Sequence, residues 1–191
     1  ALKKSRNSEA LYADVSYDLN KFNVDAAARF ENYSDFGSAL TGKLALRYEL
    51  FNNFSLRGAI GTGFRAPSLQ QQYFNNSYSD ISTSGSGIVN KGIFTNDSAI
   101  AQEIGFDKLK EEKSVNASAG FTFKPVDKLF ITLDGYLIKV KDRIVITSQF
   151  SDASFAAYDV ESARFFANAV DTETKGVDLV VSYDWALGGG N

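Results

Sequence analysis

Side chains able to do chemistry are few in this chain, because it contains no His and no Cys. Catalytic triads built on His, thiolate nucleophiles and His/Cys zinc sites are removed together. Carboxylates remain, yet Glu111 and Glu112 are neighbours and would face opposite sides of a strand. Asp80, Asp97 and Asp107 could approach a divalent ion, but their spacing fits no known loop, and solvated carboxylates are the simpler reading. The glycine-rich stretch Gly58 to Gly63 leads into no helix, so it is neither a phosphate loop nor a dinucleotide fingerprint. No catalytic, cofactor-binding or metal-ligating residue is assigned. What survives is binding chemistry. Gln70, Gln71, Gln72, Tyr73, Phe74, Asn75, Asn76 and Tyr78 cluster amides and rings that stack and hydrogen-bond, or that pack a loop on itself. Arg65 could meet an anionic ligand. The favoured reading pairs it with a lumen or loop carboxylate, while Pro67 ends its strand.

The elements that position these residues follow from alternation. Phe22, Val24, Ala26, Ala28 and Phe30 oppose Asn23, Asp25, Ala27, Arg29 and Glu31. The same period of two runs through Leu11–Leu19, Leu40–Tyr48, Phe54–Gly61, Val115–Phe123 and Val177–Trp185, with a longer and less regular run from about Leu129 to Ile146. About seven strands result. Their connections sort by length: Asn20-Lys21, Glu49 to Asn53 and Lys124 to Lys128 are short, whereas Asn32 to Ser38, Arg65 to Lys113 and Thr147 to Ser162 are longer. Alternate tight turns and large loops are the habit of an outer-membrane barrel. Phe22 and Phe30 bracket one strand on its apolar face, about 20 Å apart in height, which matches an apolar band between aromatic girdles.

A soluble β-sandwich also alternates. Its core would here be built from Ala26, Ala28, Gly42, Gly58, Ala117, Ala119 and Gly135 at mid-strand, leaving voids that lipid would fill without cost. The expected class is therefore all-β: a segment of an antiparallel up-and-down transmembrane β-barrel. No apolar run approaches the roughly 18 residues of a spanning helix. A net charge of −3, with Lys and Arg scattered, argues against a nucleic-acid partner. The chain has no Met and begins Ala1-Leu2-Lys3-Lys4-Ser5-Arg6 with no apolar run after it, so a processed product or a piece of a longer chain is expected.

The stretch Gly61-Thr62-Gly63-Phe64-Arg65-Ala66-Pro67-Ser68-Leu69 resembles a strand end common in TonB-dependent receptors. Four more segments resemble the same family in order: Arg29 to Gly37, Leu109 to Asn116 (with Glu111 where the family usually has Pro), Lys141-Asp142-Arg143-Ile144, and Asn168 to Val177. The resemblance implies a barrel of about 22 strands closed around a plug, in the outer membrane of a Gram-negative bacterium, with outer-membrane lipid around it. It implies uptake of a scarce ligand (siderophore, cobalamin-like or glycan), with energy supplied by TonB through a plug segment absent here. On that basis residues 1–191 are expected to be a partial barrel, with a large extracellular loop at about 65–113 and a second at about 147–162. A passive porin and a soluble binding module are the alternatives.

Overall fold

The computed structural model describes residues 3–82, 85 and 87–185. In chain order these form β1 (Ser8–Leu19), β2 (Phe22–Tyr33), β3 (Gly37–Phe51), β4 (Phe54–Arg65), α1 (Leu69–Tyr73), β5 (Asn76–Ile81), β6 (Ile88–Ile93), α2 (Ala99–Glu103), β7 (Glu112–Val126), β8 (Leu129–Ile146), a 3₁₀ turn (Ala153–Tyr158), β9 (Val160–Arg164) and β10 (Phe166–Tyr183). Seven strands make one antiparallel sheet in the order β1-β2-β3-β4-β7-β8-β10, and β5-β6-β9 make a second, small one. This is an up-and-down barrel segment, open at both edges.

The register explains why the alternation matters. Tyr17, Val24, Leu46, Gly58, Ala119, Gly135 and Val177 are successive cross-strand partners, so one apolar row crosses all seven strands. The adjacent row on the other face reads Asn23, Arg47, Arg57, Gly120, Asp134 and Asp178. A slip of one residue would exchange the two faces, so the pattern itself specifies the pairing.

The apolar face is not a core. Leu11, Leu40 and Val177 are 75%, 72% and 70% exposed. The buried apolar side chains, Ile100, Phe155 and Phe165 among them, belong to the long connections or their strand ends. A sandwich would need a second sheet over that face, and among the described residues none covers it. Lipid is the solvent in which such a face is stable once a closed barrel supplies neighbours for the two open edges. No described helix is long and apolar enough to cross a membrane, which says nothing of strands.

At one end of the sheet three two-residue turns, 20–21, 52–53 and 127–128, join neighbouring strands. Asn20 adopts φ 50°, a left-handed conformation that Asn tolerates well. Each turn is tied to the next strand: Glu49 N–H donates to Lys21 O, Lys124 N–H to Asn53 O and Asp184 N–H to Lys128 O, at 2.7–2.8 Å.

The opposite end carries two features that no local pattern announces. Ile100 and Ala101 of α2, in the first long connection, are buried against Phe155, Val160, Ala163 and Phe165 from the second. β6 of the first connection also pairs with β9 of the second, in parallel. Each partner lies far away in sequence, so no local periodicity announces it. Secondly, β10 begins at Phe166 rather than near Val177, because register shifts between Asn168 and Thr172 break the alternation that marks a strand.

Candidate ligand-binding end of the barrel

Residues from all five of the segments singled out in the sequence meet at the long-loop end. Phe64 packs against Tyr33 and Phe36, at ring-centroid distances of 5.9 and 6.3 Å. Arg65 donates Nε to Glu112 Oε2 at 2.9 Å, and its Nη2 donates to the other carboxylate oxygen. That second oxygen also accepts Ile144 N–H at 2.7 Å, and Glu112 is only 6% exposed. One carboxylate thus joins the ends of β4, β7 and β8. Asn168 extends the mesh: its Nδ2 donates to Lys110 O and Asp142 O, while its Oδ1 accepts Lys110 N–H, all at 2.7–3.0 Å.

Arg6 closes the mesh from the segment before β1. Its guanidinium forks onto Asp35 (2.7–2.9 Å) and donates to Pro67 O at 2.5 Å. It lies over the rings of Tyr33 and Phe36 at 5.6 and 5.4 Å. Pro67 is wholly buried. Nothing in the sequence marks Arg6, because its partners are supplied by the fold.

α1 exists because Ser68 caps it. Gln71 N–H donates to Ser68 Oγ and Ser68 N–H donates to Gln71 Oε1, both at 3.0 Å, a reciprocal capping box. The structure therefore sorts the residues singled out from the sequence. Arg65 pairs with Glu112, and the side chain of Gln71 is used by the cap. The carbonyl of Gln70 accepts Phe74 N–H at 2.8 Å, so both belong to the end of α1, with the Gln70 side chain exposed. Gln72 and Tyr73 line a hollow of about 120 Å³ with Asp35, Asn96 and Leu109. There Gln72 Nε2 and Asn96 Oδ1 are buried without a hydrogen-bond partner among the described residues. Tyr78 lines a different hollow, of about 300 Å³, on the β5-β6-β9 sheet. Arg65 to Phe74 and Tyr78 are thus not gathered into one site. Asn96, Gln149 and Arg164, which line these hollows, carry no signal in the sequence beyond residue type.

Lower in the sheet, on the polar face, Arg57 forks onto Asp134 across Gly120, with Nε to Oδ1 at 2.9 Å. A Cβ at Gly120 would collide with the Asp134 carboxylate and with Leu133 O, so the bridge needs glycine there. The pair offsets the like charge of Arg47, directly opposite Arg57. No cluster of three or more Asp or Glu is placed to hold a metal ion among the described residues. The arrangement can bind and hold; among the described residues it presents no nucleophile with a base.

The family described as TonB dependent receptor-like, beta-barrel matches residues 2–191. This chain belongs to that family. The vitamin B12 transporter BtuB of Vibrio cholerae serotype O1 is 32% identical over 68 residues, 36% of this chain and 11% of the transporter. The siderophore receptor PirA from Pseudomonas aeruginosa superposes with a TM-score of 0.66 at 20% identity, over 91% of this chain and 30% of that one. PirA from Acinetobacter baumannii gives 0.70 at 19%, over 94% and 26%. At such identities the likeness to solved structures shows the fold. The chain spans about a tenth of the curated relatives it matches and about a quarter to a third of the solved receptors. These relatives are transporters and receptors rather than enzymes.

Proposed function

We propose that this chain is part of the barrel of a TonB-dependent receptor that takes up a scarce ligand across the outer membrane of a Gram-negative bacterium. The observation that carries this is the family match over 2–191 on a sheet whose apolar face is exposed from edge to edge. In this reading the two-residue turns face the periplasm. The connections 66–111 and 147–165 face outward and present ligand-contacting side chains, Gln70, Gln72, Tyr73, Phe74 and Tyr78 among the candidates. Arg65 acts structurally, through Glu112, to hold those connections in place. TonB would deliver energy through a plug that other parts of the full-length protein supply. The relatives named for vitamin B12 and siderophores support a bulky, scarce ligand, and glycans fit the same amide and aromatic chemistry.

The test is energised uptake in cells that express the full-length protein, with and without TonB. Uptake of radiolabelled cyanocobalamin or a ferric siderophore that stops without TonB is the expected result. Equal permeation in both strains would make the protein a passive porin instead.

A further inference from the structure

On the lipid-facing side of β7, β8 and β10 the strands change character at the same end. Going from the tight turns toward the long connections, the apolar positions of β7 stop at Val115, and the next residue on that face is Lys113. On β8 they stop at Leu137, and the next two are Lys139 and Lys141. On β10 they stop at Val177, and the next is Lys175. The register keeps these residues on one face: Lys113 is directly opposite Lys141, Val115 opposite Lys139, and Lys175 opposite Leu137. We propose that Lys113, Lys139, Lys141 and Lys175 form a docking site for the phosphate groups of a lipid headgroup in the outer leaflet.

The lysines are confined to one part of the face. Along β1 to β4 the lipid-facing positions carry no Lys or Arg, and Glu9, Asn32, Leu40 and Phe64 stand toward the same end there. A lysine that merely reached from the apolar band to water would serve on any strand. Four of them on three neighbouring strands need a local reason. Lys113 and Lys141 are like charges in directly opposed positions, which by itself costs stability. Glu111 lies on Lys113 at 3.2 Å, and Lys139 and Lys175 share Glu173, at 3.0 and 3.6 Å. Lys141 has no carboxylate within ion-pair distance among the described residues. Asp142 and Asp171 stand beyond the lysines, at the break in the β8–β10 ladder, where the Asp171 carboxylate accepts the Asp142 N–H at 3.0 Å. All four lysines are exposed. Their height selects the occupant. They stand where the apolar band ends on the long-loop side, so their ammoniums meet the phosphates of the lipid whose chains cover Val115, Leu137 and Val177. An ammonium is a compact point charge on a flexible stem, which suits a phosphate that moves with its lipid. Basic residues at a membrane surface attract anionic lipid roughly in proportion to their number. A free anion would gain nothing from the apolar wall below, whereas a lipid is held by both wall and charge.

This inference rests on the outer-membrane reading and adds a lipid partner to it, so the test separates the two. Native mass spectrometry of the full-length protein in detergent measures binding of diphosphoryl lipid A, monophosphoryl lipid A and phosphatidylethanolamine. The native protein is compared with Lys141→Gln, with Lys113, Lys139, Lys141 and Lys175 all replaced by Gln, with the same four replaced by Arg, and with the control Lys21→Gln/Lys128→Gln at the tight turns. The expected result is tightest binding of the diphosphoryl lipid. Lys141→Gln should weaken it about 5-fold and the fourfold Gln variant about 100-fold or more. The fourfold Arg variant should keep most of the binding, and the control should change nothing. The lysines are exposed, so the variants should fold, which a heat-modifiable gel shift checks. Equal affinity for the three lipids overturns the inference, and so does a folded fourfold Gln variant that binds the diphosphoryl lipid as the native protein does. TonB-dependent uptake by the native protein would in either event leave the transport reading standing.

Discussion

Arg65 and Glu112 are 47 positions apart in sequence, yet they meet where β4 ends and β7 begins, and the same carboxylate receives the backbone N–H of Ile144 on β8. Three strands are thereby held at one level just below the long connections. Replacing Glu112 by Ala leaves a buried N–H and a guanidinium unpaired, and should cost about 1 to 3 kcal/mol. Glu112→Gln keeps an acceptor for Ile144 and should cost less. Heat-modifiable gel mobility of the full-length barrel reads the order directly; equal behaviour of Gln and Ala would show that the Ile144 bond contributes nothing.

Two glycines of the sheet should respond oppositely to the same methyl. Gly120→Ala drives a Cβ into Leu133 O and Asp134 and should cost about 1 to 3 kcal/mol. Gly135→Ala meets only Ala119 O, at 3.9 Å, and should be tolerated within about 0.5 kcal/mol. Equilibrium unfolding in phospholipid vesicles compares them. If Gly135→Ala is the costlier change, the Arg57–Asp134 bridge does not lie over Gly120 as described.

The faces give a third contrast. Arg at Val24, Leu44 or Leu56 should destabilise the inserted barrel by about 2 to 4 kcal/mol at mid-depth. Lys43→Gln, on the polar face, should be mild. The same unfolding measurement decides, and similar penalties on both faces would contradict the lipid-facing assignment.

The long connections should loosen together. Phe165 is fully buried among Ile100, Ala101 and Phe155. Truncation to Ala should remove about 3 to 5 kcal/mol from that cluster. Limited proteolysis of intact cells should then cut the first long connection as well as the second, although the mutation lies only in the second. Tyr158→Ala, at a 41% exposed site, serves as the neutral comparison. Cleavage confined to one connection would mean the shared core does not couple them.

The β5–β6 hairpin should be sensitive to pH. The ammonium of Lys91, and then the N–H of Ile81, hold Asp80 below its ordinary carboxylate value. Asp80 in turn raises Lys91. A depressed carboxylate contributes above its unfolded pKa and loses that contribution as pH falls through the folded one. A raised lysine contributes below its unfolded pKa and loses that contribution as pH rises through the folded one. Protection of Asn76–Ile81 and Ile88–Ile93 should be greatest between about pH 4 and pH 10. Hydrogen exchange, corrected for intrinsic rates, should show loosening on the acid side in the native protein and a smaller step in Asp80→Asn, where Glu161 still holds Lys91.

The sequence by itself determined most strands of the large sheet, their faces and the tight turns, though not where β10 begins. A period of two is a local property, and Phe22 to Phe30 or Leu40 to Tyr48 display it without reference to any other part of the chain. It also placed Arg65 in an ion pair and Pro67 at a strand end, since residue type and position suffice for that much. Only the tertiary structure decided which carboxylate Arg65 meets, that Arg6 reaches Pro67 61 positions away, that α2 buries itself against Phe155 and Phe165, and that Lys91 takes both Asp80 and Glu161. Each of these depends on segments brought together by the closing of other strands, and contacts at such separation leave no mark on the spacing of neighbours along the chain.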